Sequence, residues 1–238
     1  MAIRLIIFDV DNTLAEPNKP IHDKIINIIK QIEASGTKIA LISGKPSAYL
    51  CGFARQIGLQ TPIICGENGA FINYSSNFPP EKEYINNPGK KEAELLEELK
   101  SGIINEFGKK VWMQPNRVNL TIFPKTRKIK NDLSERLAAF STKPFFKELA
   151  IYVHSDSIEV VPSKINKGRA LRKIRSLEKL KKEEIIAVGN GENDIPMFKE
   201  AGISIGIKFH DATYTFSNIK KALEYIIELI QKEKEHER

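Results

Sequence analysis

Apolar positions in the first part of the chain follow two rhythms in turn. Ile3 to Val10 (IRLIIFDV) is a short β-branched run that suits a strand buried on both faces of a parallel sheet, and it ends in carboxylates. Ile21, Ile25, Ile28, Ile29 and Ile32 then recur at helical spacing up to Gly36, a residue suited to the left-handed position after a helix. Lys38 to Ile42 reads as a second strand stopping at Ser43-Gly44. Pro46 to Ile57 reads as the next helix, with proline where a first turn tolerates it, and Ile63 to Cys65 as a third strand. The order βαβαβ predicts right-handed crossovers, a parallel sheet and ligand sites at the carboxyl ends of its strands.

After Gly66-Glu67-Asn68-Gly69, a turn signal, the rhythm changes. A loop with Pro79, Pro80 and Pro88 leads to an amphipathic helix over Lys90 to Phe107. Strand-like runs follow at Val111 to Gln114, Asn119 to Phe123, Leu149 to Val153 and Ile158 to Val161, with a helix near Lys128 to Phe140. Short, closely spaced strands mixed with helices predict an inserted α+β module. The parallel pattern resumes with a helix over Lys167 to Leu177, a strand at Glu184 to Val188, a helix over Asp194 to Ala201 and a strand at Ile203 to Ile207. The last helix carries Ala222, Leu223, Ile226, Ile227 and Ile230 on one stripe before a frayed KEKEHER tail. Its polar face mixes Glu with Lys, so docking on the sheet is expected rather than a membrane surface. The fold expected is α/β: a doubly wound, mainly parallel sheet from residues 1–74 and 162–238, interrupted by a module over 75–161.

Composition narrows this picture. A 238-residue chain with 41% hydrophobic and 28% charged residues can bury a sizeable core and is not disordered. No apolar run approaches the ~20 residues that a membrane-spanning helix needs, and carboxylates follow too early for a secretory segment, so the cytoplasm is the expected location and no membrane partner is expected. Cys51 and Cys65 lack metal-site spacing and read as reduced, buried thiols. The net charge of +7 is concentrated: Lys164 to Lys182 holds nine basic residues against Glu178 alone. Such a run is where nucleic-acid binding would begin, yet it contains no aromatic residue to stack on bases, so a nucleic-acid partner is not expected.

The first strand delivers Asp9-Val10-Asp11-Asn12-Thr13 to the sheet edge where ligands bind. Like charges this close raise each other's cost of ionisation, so such a pair serves a metal, a shared proton or both. A polar turn with capping carboxylates is the plainer reading of this segment alone. Further polar residues stand at the other strand ends: Ser43-Gly44 closes the second strand, Lys167 opens the first helix after the insertion, and Gly189-Asn190-Gly191-Glu192-Asn193-Asp194 follows EIIAV.

Taken together and in this order, these segments resemble the haloacid dehalogenase-like phosphohydrolases, whose motifs are an aspartate pair, a Ser or Thr, a Lys and an acidic loop. Gly66-Glu67-Asn68-Gly69-Ala70, Asn166-Lys167-Gly168 and the place of the insertion are similar to the branch with a large α/β cap. That branch includes Cof-like sugar phosphatases, phosphoglycolate phosphatases and sucrose-phosphate phosphatases. The resemblance implies a Rossmann-like core, a cap domain that selects substrate, and a Mg²⁺ ion. It implies Asp9 as nucleophile forming an aspartyl-phosphate and Asp11 as general acid and base. Thr13, Ser43, Gly44, Lys167 and Asn193 would bind the phosphoryl group, and Asp9, the Asp11 carbonyl, Asn190 and Asp194 would hold the metal. The chemistry is consistent: an anionic nucleophile meets an anionic ester only where a cation and a fixed ammonium hold both.

Two positions depart from the family pattern. Asn190 stands where an aspartate usually binds Mg²⁺, so the site has one carboxylate fewer and a weaker hold on the ion is expected. Asn12 replaces a glycine, a milder change because Asn tolerates the left-handed region. On the cap, Arg117, Asn119 and Lys125 are candidates for a substrate carboxylate or sugar hydroxyls, and His154 for facing the cleft. Asn116-Arg117 resembles a position of phosphoglycolate phosphatases, which makes phosphoglycolate or a related small acidic phosphate the first expected substrate. The alternatives are a sugar-phosphate phosphatase, a phosphomutase sharing the aspartate chemistry, and a weakly active relative that binds phosphate or nucleic acid.

Overall fold

In a computed structural model that describes residues 2–142 and 146–236, the chain forms two sheets. The first is built from β1 (Leu5–Asp9), α1 (Asp23–Ala34), β2 (Lys38–Ile42), α2 (Ser47–Ile57) and β3 (Ile63–Gly66), followed by β4 (Phe71–Asn73) and β5 (Glu83–Ile85). The second is built from α3 (Lys90–Phe107), β6 (Val111–Met113), β7 (Leu120–Pro124), α4 (Arg127–Phe140), β8 (Leu149–Val153) and β9 (Ile158–Pro162). The chain then returns to the first sheet through α5 (Lys167–Glu178), β10 (Ile185–Gly189), α6 (Ile195–Phe198), β11 (Ile203–Ile207), β12 (Tyr214–Phe216) and α7 (Ile219–His236).

The eight-stranded sheet has the order β12-β11-β10-β1-β2-β3-β4-β5, parallel from β12 through β3 and antiparallel at β4 and β5. Strand order reverses at β1, which places a crevice outside the carboxyl ends of β1 and β10. Alternation along the strands divides the core. Ile6 and Phe8 face Ile25, Ile29, Leu50, Leu223 and Ile226 of α1, α2 and α7, whereas Leu5 and Ile7 face Ala170, Leu171, Ile174 and Met197 of α5 and α6. The expected docking of the last helix on the sheet is thus observed, with Ala222, Leu223 and Ile226 fully buried. The helix continues through most of the segment expected to fray, and the last two residues lie outside the described ones.

The cap is a four-stranded antiparallel sheet of order β6-β7-β9-β8. One face packs Leu120, Ile122, Ile158 and Val160 against Leu99, Ile103, Leu133 and Leu137 of α3 and α4. Thr126 caps α4 by accepting the Ile129 N–H at 3.2 Å. The other face, carrying the alternate residues, looks onto the crevice.

Three boundaries differ from the sequence reading. The core extends past residue 74, because β5 pairs with β4 and the proline-containing segment between them closes a hairpin rather than linking domains. Residue 162 still belongs to the cap, as Pro162 ends β9 opposite Leu149. The helix expected over Asp194 to Ala201 shrinks to a 3₁₀ turn at Glu192–Asp194 and one turn of α helix, where Pro196 sits in the first turn. The strands β4, β5 and β12 were not expected at all; at three residues each they are too short to display a period.

Candidate active site

Asp9 is the last residue of β1, and the chain turns sharply after it. Asn12 takes a left-handed conformation (φ 57°), and the Leu14 N–H returns to the Val10 carbonyl at 2.9 Å. The turn brings Thr13 back over the strand end, so that its hydroxyl donates to Asp9 Oδ2 at 3.1 Å. On the other side, Asn166 caps α5 by accepting the Arg169 N–H at 3.0 Å, which makes Lys167 the first helical residue and sends its side chain inward. Lys167 Nζ donates to Asp9 Oδ1 and to Asp194 Oδ1, both at 2.6 Å, with only 1% of the lysine exposed. Burial alone would depress the Lys167 pKa, but the two carboxylates raise it above the ordinary lysine value. The ammonium is therefore permanent.

Asp194 is completely buried, and its remaining oxygen accepts the N–H groups of Asn190 and Gly191 at 2.8 and 3.1 Å. Burial raises its carboxyl pKa while Lys167 acts in the opposite direction. With both oxygens engaged, Asp194 anchors the lysine and the 190–191 loop.

Asp11 points away from Asp9 and into the cleft, and Lys45 Nζ donates to its Oδ2 at 2.6 Å. Burial raises the Asp11 pKa, with Lys45 acting against that rise. Lys45 was missed in the sequence, although the logic that singled out Ser43 applies to it equally. It follows Ser43-Gly44 at the same strand end, and it also lies over the Tyr49 ring at 5.2 Å. Ser43 is buried at the cavity edge, where its hydroxyl accepts the Lys45 N–H at 3.3 Å.

A divalent cation fits beside Asp9. The terminal atom of Asn190 that faces Asp9 lies 3.0 Å from Asp9 Oδ2, 3.0 Å from the Asp11 carbonyl oxygen and 3.1 Å from Thr13 Oγ1. Set as oxygen, it completes a trio of Asp9, Asp11 and Asn190 oxygens with no proton among them. Adjacent ligands of an octahedral Mg²⁺ stand about 2.9 Å apart, from bonds of about 2.0–2.1 Å. Set as nitrogen, the same amide lies within donating distance of all three neighbours. The donor set therefore suits a hard cation through oxygen and is self-satisfied without one.

Asp9, Asp11, Ser43, Lys45 and Asn190 form the floor of a cavity of about 600 Å³ whose opposite wall is the cap sheet, and Thr13, Lys167 and Asp194 are buried behind them. Gln114, Thr121, Phe123, Tyr152 and Glu159 line that wall, and Asn193 and Gly44 lie on the core side. Gln114 Nε2 and Asn116 Nδ2 donate to the Gly44 carbonyl at 3.1 and 3.4 Å. A second tie is stronger: the buried Glu67 carboxylate accepts the backbone N–H groups of Arg117, Val118 and Asn119 at 2.7–3.2 Å, so a core side chain seats in a nest of cap amides.

The cap candidates fare unevenly. Arg117 does not line the cavity; its guanidinium stacks on the Phe71 ring at 4.4 Å, a cation–π contact that removes it from the substrate role expected of it. Asn119 is buried and donates to Glu159 at 3.4 Å, and exposed Lys125 lies off the cavity. His154 does face the cleft. Within the basic run, Arg172 and Arg175 pair with Glu200 and Lys173 lies over the Tyr84 ring. Among the described residues, no helix is long and apolar enough to cross a membrane, and Cys51 and Cys65 are buried free thiols.

Comparison with known proteins agrees with this geometry. The haloacid dehalogenase-like hydrolase family matches residues 6–144 and 119–229. A phosphoglycolate phosphatase of Methanosarcina acetivorans is 26% identical over 234 residues, covering 96% of this chain and 91% of the relative. One from Methanospirillum hungatei is 27% identical over 204 residues, covering 84% and 82%. Among solved structures, a protein of Thermoplasma acidophilum superposes with a TM-score of 0.73 at 17% identity, covering 97% of this chain and 99% of that one. A protein of Thermotoga maritima gives 0.71 at 20% identity, covering 94% and 97%.

Proposed function

The chain belongs to the haloacid dehalogenase-like hydrolases, and from that premise we propose that this phosphatase is Mg²⁺-dependent and cleaves small phosphomonoesters through an aspartyl-phosphate on Asp9. The observation that carries the reading is the buried Asp9–Lys167–Asp194 array, in which one ammonium is fixed between two carboxylates and Asp9 lines the cavity. A buried ion pair of this kind contributes little to stability by itself. A permanent positive charge beside a strand-end carboxylate is, however, what transfer of a phosphoryl group to that carboxylate requires.

In this reading the Asp9 carboxylate attacks phosphorus as the bond to the alcohol oxygen breaks. Asp11, whose pKa is raised by burial, delivers its proton to the departing oxygen. The Asp11 carboxylate then takes a proton from the water that attacks the acyl-phosphate, and phosphate leaves with Asp9 restored. Lys167 offsets the charge on the transferring oxygens, Ser43, Gly44 and Asn193 border the space those oxygens fill, and Thr13 is buried against Asp9. Asp9 Oδ2, the Asp11 carbonyl and Asn190 would hold Mg²⁺, which supplies the charge that draws nucleophile and ester together. The cap covers the cavity and is tied to Gly44 and Glu67 of the core.

Phosphoglycolate as substrate is supported by the names of the sequence relatives. It loses the support of Arg117, which is committed to Phe71. The decisive experiment is phosphate release from a panel of esters across a Mg²⁺ titration, run beside Asp9→Asn. Turnover that is abolished in the variant, together with a mass adduct on Asp9, is the expected result. An active native protein whose adduct lies elsewhere overturns the reading, and transfer of labelled phosphate to a second alcohol instead of water would make the protein a mutase.

A further inference from the structure

The cap wall that meets the leaving group is acidic. Period-two alternation places Thr121, Glu159 and Tyr152 side by side on the cleft face, because Thr121 pairs with Glu159 in the β7–β9 register and Glu159 with Tyr152 in the β8–β9 register. Glu159 stands at the centre of this row. It is 3% exposed, and the β-carbon of any side chain at position 44 would fall 2.3 Å from its Oε1, so the carboxylate sits directly over the Ser43-Gly44 strand end.

The two oxygens of Glu159 are not equivalent. Oε1 accepts from Asn68 Nδ2 at 2.9 Å and from Asn119 Nδ2 and Thr121 Oγ1 at 3.4 Å. The group nearest Oε2 that these contacts record is His154 Nε2, at 3.8 Å and beyond hydrogen-bonding reach. A nearly buried carboxylate oxygen with acceptor capacity to spare therefore faces the cavity. Asp156 adds a second acid to the cap side, and among the described lining residues the cap supplies no Lys or Arg. Among the described residues Lys45 is the one lysine lining the cavity, and it is already paired with Asp11.

We infer that Glu159 is the specificity-determining residue of this site. It selects phosphomonoesters whose alcohol portion presents hydroxyl or ammonium donors, and it rejects those whose alcohol portion carries a carboxylate. A donor on the leaving group completes the Oε2 acceptor, whereas a carboxylate placed there meets like charge at low local dielectric with no lysine or arginine of the cap to offset it. The inference rests on the phosphatase reading for its substrate pose and runs against the substrate named for the relatives.

The test uses glycerol phosphate, ethanolamine phosphate and phosphoglycolate, measured twice: as kcat/KM on the full chain with Mg²⁺, and as calorimetric Kd on Asp9→Asn, which needs no turnover. Native protein should favour the first two esters over phosphoglycolate by about tenfold or more. Glu159→Gln, which keeps shape and removes charge, should raise phosphoglycolate about tenfold and lower ethanolamine phosphate. Phosphoglycolate equal to or better than the others in native protein overturns the inference, as does an unchanged ratio in Glu159→Gln. Should Glu159→Gln fail to fold, the native ratios alone decide. Binding with the expected selectivity but no hydrolysis would sink the phosphatase reading and uphold this one, and no binding by any ester would sink both.

Discussion

Lys45 Nζ donates to Asp11 Oδ2 at 2.6 Å, and the two residues lie one past the Ser43-Gly44 strand end and two past the Asp9 strand end, respectively. The pair spans adjacent parallel strands, so the backbone register of β1 against β2 sets its geometry. Lys45 thus aims the Asp11 carboxyl across the cleft and opposes the rise in its pKa that burial imposes. Lys45→Met should lower kcat by about a hundredfold, the low end of the range for a general acid–base group. With the opposing charge gone, the Asp11 pKa rises further, so the limb of the rate profile that needs its carboxylate form should move to higher pH. An unchanged profile would remove Lys45 from the mechanism.

Lys167 is held between Asp9 and Asp194 with almost no exposure. Taking the ammonium away leaves two carboxylates facing each other in the core, so Lys167→Met should destabilise the protein by about 3–5 kcal/mol and abolish turnover. Adding Asp194→Asn removes one of the stranded charges, and urea melts of the double variant should recover part of that loss without restoring activity. Full additivity of the two substitutions would show that they do not share one array.

The central sheet was legible because β1, β2, β10 and β11 are buried on both faces, which writes continuous apolar runs into the sequence. Asp9, Thr13 and Lys167 were legible because strand-end positions repeat at each βα unit, and the structure brings them together. Arg117 failed because sequence gives the place of a cap residue but not the direction of its side chain, and the Phe71 ring that captures it lies 46 residues earlier. The roles of Glu67, already singled out within the Gly66-Glu67-Asn68-Gly69 turn, and of Glu159 were hidden for a related reason: their partners are supplied across the junction of cap and core, by backbone amides and by Asn68.

Glu200 offers a pH prediction away from the chemistry. Arg172 hydrogen-bonds it at 2.5 Å and Arg175 approaches at 3.3 Å, and these contacts hold its pKa below the ordinary glutamate value of 4.5. A depressed folded-state pKa stabilises the protein above the unfolded value and loses that contribution as pH falls through the folded one. Glu200→Gln should therefore melt about 1–2 °C below the native protein at neutral pH. The gap should close in acid, below the depressed pKa. A gap independent of pH would assign the pairing no role.

Glu67 should act on cap closure rather than on chemistry. Its carboxylate receives the N–H groups of three consecutive cap residues, the shortest from Val118 at 2.7 Å, and hydrogen bonds to a charged acceptor are the strong kind. Glu67→Gln keeps the size but cannot serve every donor, at a cost of about 2 kcal/mol. The expected result is a KM raised several-fold with kcat changed less, and faster proteolysis between residues 86 and 89, where β5 gives way to α3. A lowered kcat with KM unchanged would place Glu67 in the chemical step instead.

Asn190 sets how the protein responds to metal. Its terminal atom stands 3.0 Å from both Asp9 Oδ2 and the Asp11 carbonyl, close enough to join them as a ligand or to hydrogen-bond them as a donor. Rotation of the amide exchanges these roles, so the native site is satisfied with or without the ion, and its melting temperature should respond little to Mg²⁺ or EDTA. An aspartate has no such alternative. Asn190→Asp places a second carboxylate against Asp9 with no proton to bridge them, and without metal that repulsion should lower the melting temperature. With Mg²⁺ the same charge becomes a stronger ligand, so the melting temperature should recover and half-saturating Mg²⁺ for turnover should fall about tenfold. Equal responses to EDTA in the two proteins would mean that position 190 does not face the ion.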